Sequence, residues 1–152
     1  MILPVYVLNG PNLNLLGSRE PEVYGRQALS DIEKAVSQRA KKAGLEVVFR
    51  QSNHEGELVD WIQEARTKGS GVIINPGAYT HTSIALLDAL KMLDKPIIEV
   101  HLTNTHQREP FRRHSYVSMA AKGVIMGLGP MVYILAIDAM ASLVGTGKGT
   151  LQ

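Results

Sequence analysis

Four short runs of this chain gather side chains whose types and spacing suit acid–base or hydrogen-bonding chemistry on a small molecule. The first is Val5-Tyr6-Val7-Leu8-Asn9-Gly10-Pro11-Asn12-Leu13-Asn14-Leu15-Leu16-Gly17. It begins as a buried strand and breaks into a loop of Asn, Gly and Pro. A strand-to-helix connection needs only a few small or polar residues, yet the next helical pattern starts near Gln27. Asn12 and Asn14 offer donors and acceptors without charge, which suits a hydroxylated, oxygen-rich small molecule. Arg19 and Tyr24 follow between Gly17 and Gly25, two hinge candidates. Taken alone, Tyr24 reads as an exposed loop tyrosine. As a base, a phenol of pKa about 10 works near neutral pH only beside a cation that stabilises the phenolate. Arg19, or alternatively Arg112, supplies that charge.

The second run, Asn75-Pro76-Gly77-Ala78-Tyr79-Thr80-His81-Thr82-Ser83, reads as a strand end turning into a helix. Thr80, Thr82 or Ser83 can cap that helix. Equally, a helix N-terminus attracts negative oxygen. The third run is Glu99-Val100-His101-Leu102-Thr103. Strand periodicity puts Glu99 and His101 on one face, so the carboxylate can orient the imidazole or raise its pKa. A histidine among apolar neighbours can also be purely structural. The fourth run holds Arg112, Arg113, His114 and Ser115. With Arg108 it forms a positive cluster large enough to hold one small acid. Arg113 and His114 also fit a plain surface reading. Asp88 follows His81 by two helical turns, so one side of the expected helix holds both. Leu86, Leu87, Leu90 and Leu93 take the other side.

The elements that must position these groups follow from the apolar pattern. Candidate strands are Val5 to Asn9, Leu45 to Arg50, Val72 to Asn75, Ile97 to His101 and Val124 to Met126. Most are β-branched and apolar on both faces, the mark of buried parallel strands. Leu29, Ile32, Val36 and Ala40 share a helical face, with Gly44 as a stop. Leu58, Ile62 and Ala65 form a second, closed by Gly69. Ile84, Leu87, Leu90 and Leu93 form a third, ended by Lys95-Pro96. Met131 through Leu143 is a fourth, with Pro130 at its start. Alternating strands and helices imply an α/β, doubly wound, five-stranded parallel sheet. The expected strand order is the flavodoxin-like 2-1-3-4-5. Right-handed crossovers then place the reversal between the first and third strands, where ligands bind beyond the strands' carboxyl ends. Asn9, Asn12, Asn75 and His101 all fall there.

At 152 residues the chain has the length of one domain, expected over 1–144, with a Gly-, Thr- and Lys-rich disordered tail over 145–152. It is long enough to bury roughly 70% of its unfolded surface. The formal net charge is only +2, and no basic stripe accompanies it, so nucleic acid is not an expected partner. The absence of cysteine excludes disulfides and thiolate metal sites. The start lacks a basic segment followed by an apolar run, and no apolar stretch approaches bilayer length. The expectation is a cytoplasmic protein without a membrane partner. Gly145-Thr146-Gly147-Lys148 mimics part of a phosphate loop without its strand and helix. His101, His106 and His114 lack metal-ligand spacing with any carboxylate, so no metal is expected.

Leu8-Asn9-Gly10-Pro11-Asn12-Leu13-Asn14-Leu15-Leu16-Gly17, with Arg19 and Tyr24-Gly25 after it, closely resembles the start of the type II 3-dehydroquinate dehydratases. So do Ile74 to Ser83, Glu99 to Asn104 and Arg112 to Ser118. These blocks span most of the chain, to about Gly129. The resemblance implies a lyase that removes water from 3-dehydroquinate to give 3-dehydroshikimate, in the shikimate route to aromatic amino acids, with no cofactor. It implies that Tyr24 takes a proton beside the ketone and that Arg19 belongs to a lid over the site. Asn12 stabilises the enolate, through a water, and His101 protonates the departing hydroxyl. By the same resemblance, Asn75, Gly77, Ala78, His81, Leu102, Thr103 and Arg112 are expected to bind the substrate. Thr103 departs mildly from the family, where Ser is the more frequent residue, and keeps the hydroxyl. The resemblance further implies a homododecamer built of trimers, in which Asp88 completes a neighbour's site. A signalling or binding module on the same fold is the alternative. A receiver, however, needs an acidic cluster after the first strand and an Asp ending the third, and Asn9 and Asn75 stand there.

Overall fold

Runs of β-branched residues alternate with runs of helical periodicity, and the chain folds accordingly. In the computed structural model, which describes residues 2–18, 22 and 27–145, the regular elements come in a strict alternation up to β4. They are β1 (Val5–Asn9), α1 (Leu29–Lys42), β2 (Val47–Gln51), α2 (Glu55–Lys68), β3 (Gly71–Asn75), α3 (Ile84–Lys91), β4 (Ile97–His101), β5 (Gly123–Met126) and α4 (Met131–Val144). The strands form one parallel sheet in the order β2-β1-β3-β4-β5, as expected. The expectations for Arg19, Tyr24 and the tail beyond Gly145 lie outside the described residues.

Period-2 alternation splits the sheet into two apolar faces. Val5 and Val7 of β1, Ile73 of β3 and Ile98 and Val100 of β4 meet Ile32 and Val36 of α1 and Tyr133, Ile137 and Met140 of α4. Tyr6, Leu8, Val72, Ile74 and Ile97 meet Leu58 and Ile62 of α2 and Leu86 and Leu90 of α3. β1, β3 and β4 are buried throughout. β2 and β5 are not, contrary to the expectation for most strands, because each is an edge strand with one side open.

Two expected boundaries shift for identifiable reasons. Leu45 is not the first residue of β2. Its N–H bonds to Ala40 and that of Gly44 to Lys41, the paired bonds that close a helix on a left-handed glycine. Leu45 therefore finishes α1. His81 is not on α3 either. Gly77–His81 forms a separate 3-10 turn, and Ser83 caps α3 by accepting the Leu86 N–H at 2.9 Å. His81 and Asp88 thus belong to different elements, and their expected common helix face does not exist.

The loops after β1 and β3 are welded together. Gly10 donates its N–H to the Asn75 carbonyl at 2.8 Å, and a Cβ on Gly10 would lie 2.3 Å from the Pro76 carbonyl oxygen. No side chain fits between two backbones at that separation. Gly77, at φ +59°, closes the same contact from the other side, against Pro11. Gly10→Ala is expected to destabilise the protein by about 3 kcal/mol or more, since the clash is with backbone and cannot relax by a rotamer change. Urea unfolding measures this, and an unchanged midpoint would contradict the weld.

Candidate active site

The carboxyl ends of β1, β3 and β4 open into one cleft. It is lined by Asn12, Asn75, Gly77, Ala78, His81, His101, Leu102, Thr103 and Arg112, with Pro11, Leu13, Thr105 and Arg108. Nine of the twelve residues expected at the site are therefore brought together from four separate segments. Arg19 and Tyr24 are outside the described residues. Asp88 is exposed on α3 and does not line this cleft. Arg108 was noted only as part of a positive cluster, and its place in the lining is new. No group of three or more His, Asp or Glu side chains among the described residues is placed to hold a metal ion.

His101 ends β4, and its Nε2 meets Oε2 of Glu99 at 2.5 Å. The spacing of two along one strand produces this pair. Glu99 is fully buried. Burial pushes its carboxyl pKa up, but hydrogen bonds from His101, Ser118 and Ser115 and the charge of His101 outweigh that, and the net shift is downward. Ser118 donates to Oε1 at 2.6 Å and Ser115 to Oε2 at 2.9 Å. Glu99 is thus an anchored carboxylate that holds the imidazole in one orientation. The ring nitrogen it does not hold is the one available for proton transfer.

His81 presents the opposite chemistry. Its Nδ1 lies 2.7 Å from the His114 carbonyl, which can only accept, so Nδ1 carries the hydrogen. Burial pushes the pKa of the imidazole down. The His114 carbonyl opposes this, and the positive charges of His101 and Arg112 add to the lowering. Neutral His81 leaves Nε2 as an acceptor for a ligand hydroxyl. The unfolded chain protonates His81 first as pH falls, so its contribution to stability is present above the ordinary histidine value of about 6.5 and is lost below it. An NMR titration of the His81 ring protons is expected to show a midpoint below the ordinary value. A midpoint above it would remove His81 as a neutral acceptor.

The Asn residues divide by face. Asn12 has φ 69°, a left-handed conformation that Asn tolerates better than other non-glycine residues. Its backbone N–H bonds to Oδ1 of Asn53 at 3.0 Å, a side chain that also accepts from Gln51. Asn9, expected at the crevice, turns away from it. It is fully buried, as period-2 alternation from Val5 and Val7 requires, and bonds to Tyr133 and to the Arg50 carbonyl. Tyr133 also meets Asn75. Sequence reasoning missed Tyr133, which reads as one more apolar position in a strongly apolar helix. Ser115 and Ser118 were missed for a similar reason, since nothing local links them to Glu99. Arg112 donates to Glu109 at 2.9 Å through Nε, and Arg108 approaches Thr103 Oγ1 at 3.5 Å.

The fold and site together define an α/β protein of flavodoxin-like topology with an acid–base pair at the carboxyl edge of its sheet. The ends of β1 and β3 carry buried Asn9 and Asn75, both engaged with Tyr133, so a receiver's acidic cluster is absent from those positions. The chain belongs to the class II dehydroquinase family, whose model, Dehydroquinase class II, matches residues 3–141. It is 60% identical to a 3-dehydroquinate dehydratase of a Caulobacter species over 145 residues, 95% of this chain and 99% of that one. It is 59% identical to a 3-dehydroquinate dehydratase of Phenylobacterium zucineum, covering 94% and 99% of the two chains. The crystal structure of the type II dehydroquinase from Propionibacterium acnes superimposes with a TM-score of 0.90 at 42% identity, over 93% of this chain and 98% of that one.

Proposed function

We propose that this protein is a hydro-lyase that converts 3-dehydroquinate to 3-dehydroshikimate, a step on the route to aromatic amino acids. The observation that carries the reading is the Glu99–His101 pair opening into one cleft with Asn12, Asn75 and neutral His81, in a chain of this family. Tyr24, as phenolate beside Arg19, takes the proton next to the ketone, and the enolate that forms is held by Asn12 through a water. His101 gives a proton to the departing hydroxyl, which leaves as water, and Glu99 balances the imidazolium. Asn75 and His81 meet substrate hydroxyls. Gly77, Ala78, Leu102, Thr103 and Arg112 complete its binding, Leu102 and Thr103 at the carboxylate.

Among the described residues lining the cleft there is no lysine, so a Schiff-base route lacks its amine. The test is direct. Purified protein mixed with 3-dehydroquinate should produce the near-ultraviolet absorbance of a conjugated enone, and borohydride added with substrate should trap no adduct. No absorbance change, or a reduced lysine adduct, would reject the reading.

The location is read as cytoplasmic; no helix among the described residues is long and apolar enough to cross a membrane. The assembly is read as a dodecamer of trimers in which Asp88 completes a neighbouring site. The support is that Asp88 is exposed and lies outside its own chain's cleft, while Leu86, Leu87 and Leu90 of the same helix are buried in the core. Asp88→Ala should weaken assembly and activity together. Mixing inactive Asp88→Ala and His101→Ala chains under subunit exchange should restore activity, because some shared sites regain both groups. A mixture that stays inactive, with mixed oligomers seen by native mass spectrometry, would place Asp88 outside any shared site.

A further inference from the structure

We propose that Tyr133 is a positioning residue that fixes which end of the Asn75 amide donates into the cleft. The proposal rests on Asn75 touching the substrate, as inferred above. It follows from a hydrogen-bond chain whose direction is imposed at both ends by backbone groups. The Arg50 carbonyl on β2 can only accept, and it meets Nδ2 of Asn9 at 3.0 Å. Oδ1 of Asn9 is therefore the atom turned toward Tyr133, at 2.6 Å. That oxygen also can only accept, so the Tyr133 hydroxyl donates its single proton there. The tyrosine oxygen must then accept from its other neighbour, Nδ2 of Asn75, at 3.0 Å. At the far end the Gly77 N–H can only donate, and it meets Oδ1 of Asn75 at 3.2 Å.

Every link agrees, and none can reverse without breaking a bond to backbone. The three side chains are 0% (Asn9), 4% (Asn75) and 1% (Tyr133) exposed, so bulk water does not replace a lost partner. Burial raises the pKa of Tyr133, which keeps the phenol protonated as the chain requires. One Nδ2 hydrogen of Asn75 is used by Tyr133, and the other remains for the cleft that Asn75 lines. A hydroxyl on α4 thus decides that the substrate meets an N–H donor at this point.

Tyr133→Phe removes only the oxygen, and the ring stays beside Phe49, 6.5 Å away between centroids. KM for 3-dehydroquinate is expected to rise about tenfold, the order for a hydrogen-bonded amide left without its partner, with a smaller change in kcat, because a binding contact is read in KM. Asn9→Leu should be worse. It takes away the tyrosine's acceptor, so the hydroxyl proton turns to Asn75, and the amide must rotate and abandon Gly77. The double variant Asn9→Leu with Tyr133→Phe should then recover to the level of Tyr133→Phe alone. A merely structural role predicts no such recovery. Asn75→Ala is the control. If it raises KM while Tyr133→Phe has wild-type kinetics below its Tm, the proposal falls and the substrate contact stands. If Asn75→Ala itself has wild-type KM, the contact falls and the proposal with it. A double variant no more active than Asn9→Leu also overturns it. Should Asn9→Leu not fold, neutron diffraction from the unmutated enzyme decides. Deuterium is expected between Tyr133 and Asn9, and deuterium directed from Tyr133 to Asn75 overturns the proposal.

Discussion

Tyr24→Phe is expected to leave the fold and ligand binding intact while lowering kcat by roughly a hundred- to ten-thousandfold, the range that a positioned acid–base group supplies. The ring is kept and only the proton acceptor is lost. KM should change little, since a base that acts on a C–H bond contributes mainly in the transition state. Near-wild-type kcat would remove Tyr24 from the mechanism. The companion change, Arg19→Ala, tests the cation that makes a phenol with pKa of about 10 useful near neutral pH. Without it the phenol titrates higher, so the loss should be greatest at neutral pH and shrink as pH rises. A ratio of mutant to wild-type activity that is flat across pH would count against that pairing.

His101→Gln is expected to be inactive by a comparable factor, for a different reason. The longer glutamine amide places an N–H where Nε2 of the imidazole meets Glu99, so the buried carboxylate keeps a partner, but an amide cannot deliver a proton to a leaving hydroxyl. His101→Ala adds a stability defect of about 1–3 kcal/mol, the cost of taking one hydrogen-bond partner from a buried carboxylate that keeps Ser115 and Ser118. Thermal unfolding separates the two variants, and turnover should not. Glu99→Gln should be milder in turnover than either, because in the proposed mechanism Glu99 orients and balances the imidazole and does not itself transfer the proton. Wild-type kcat in His101→Gln would show that another group protonates the leaving oxygen.

Much of this was legible in the chain before it was folded. β1 and β4 stand where β-branched alternation puts them, and the Glu99–His101 pair follows from strand periodicity alone. The flavodoxin-like strand order, chosen from the alternation of strands and helices, is the one observed, and its reversal beside β1 brings Asn12, Asn75 and His101 to one cleft. Side-chain direction was harder. Asn9 and Asn12 look alike in sequence, yet one is fully buried and the other lines the cleft. His81 reads as helical by its spacing from Asp88, but the turn Gly77–His81 ends before Ser83 caps the helix.

Local pattern therefore determined the elements and the residue types at the active edge of the sheet, because periodicity and turn chemistry act over a few neighbouring residues. Tertiary structure decided what those residues do. Tyr133 reaches Asn75 across 58 positions and Asn9 across 124, and Ser115 and Ser118 reach Glu99 from a segment beyond β4. No local rule encodes such contacts. They exist because burial removes water as the alternative partner, and each polar group inside must then find another one in the packed chain.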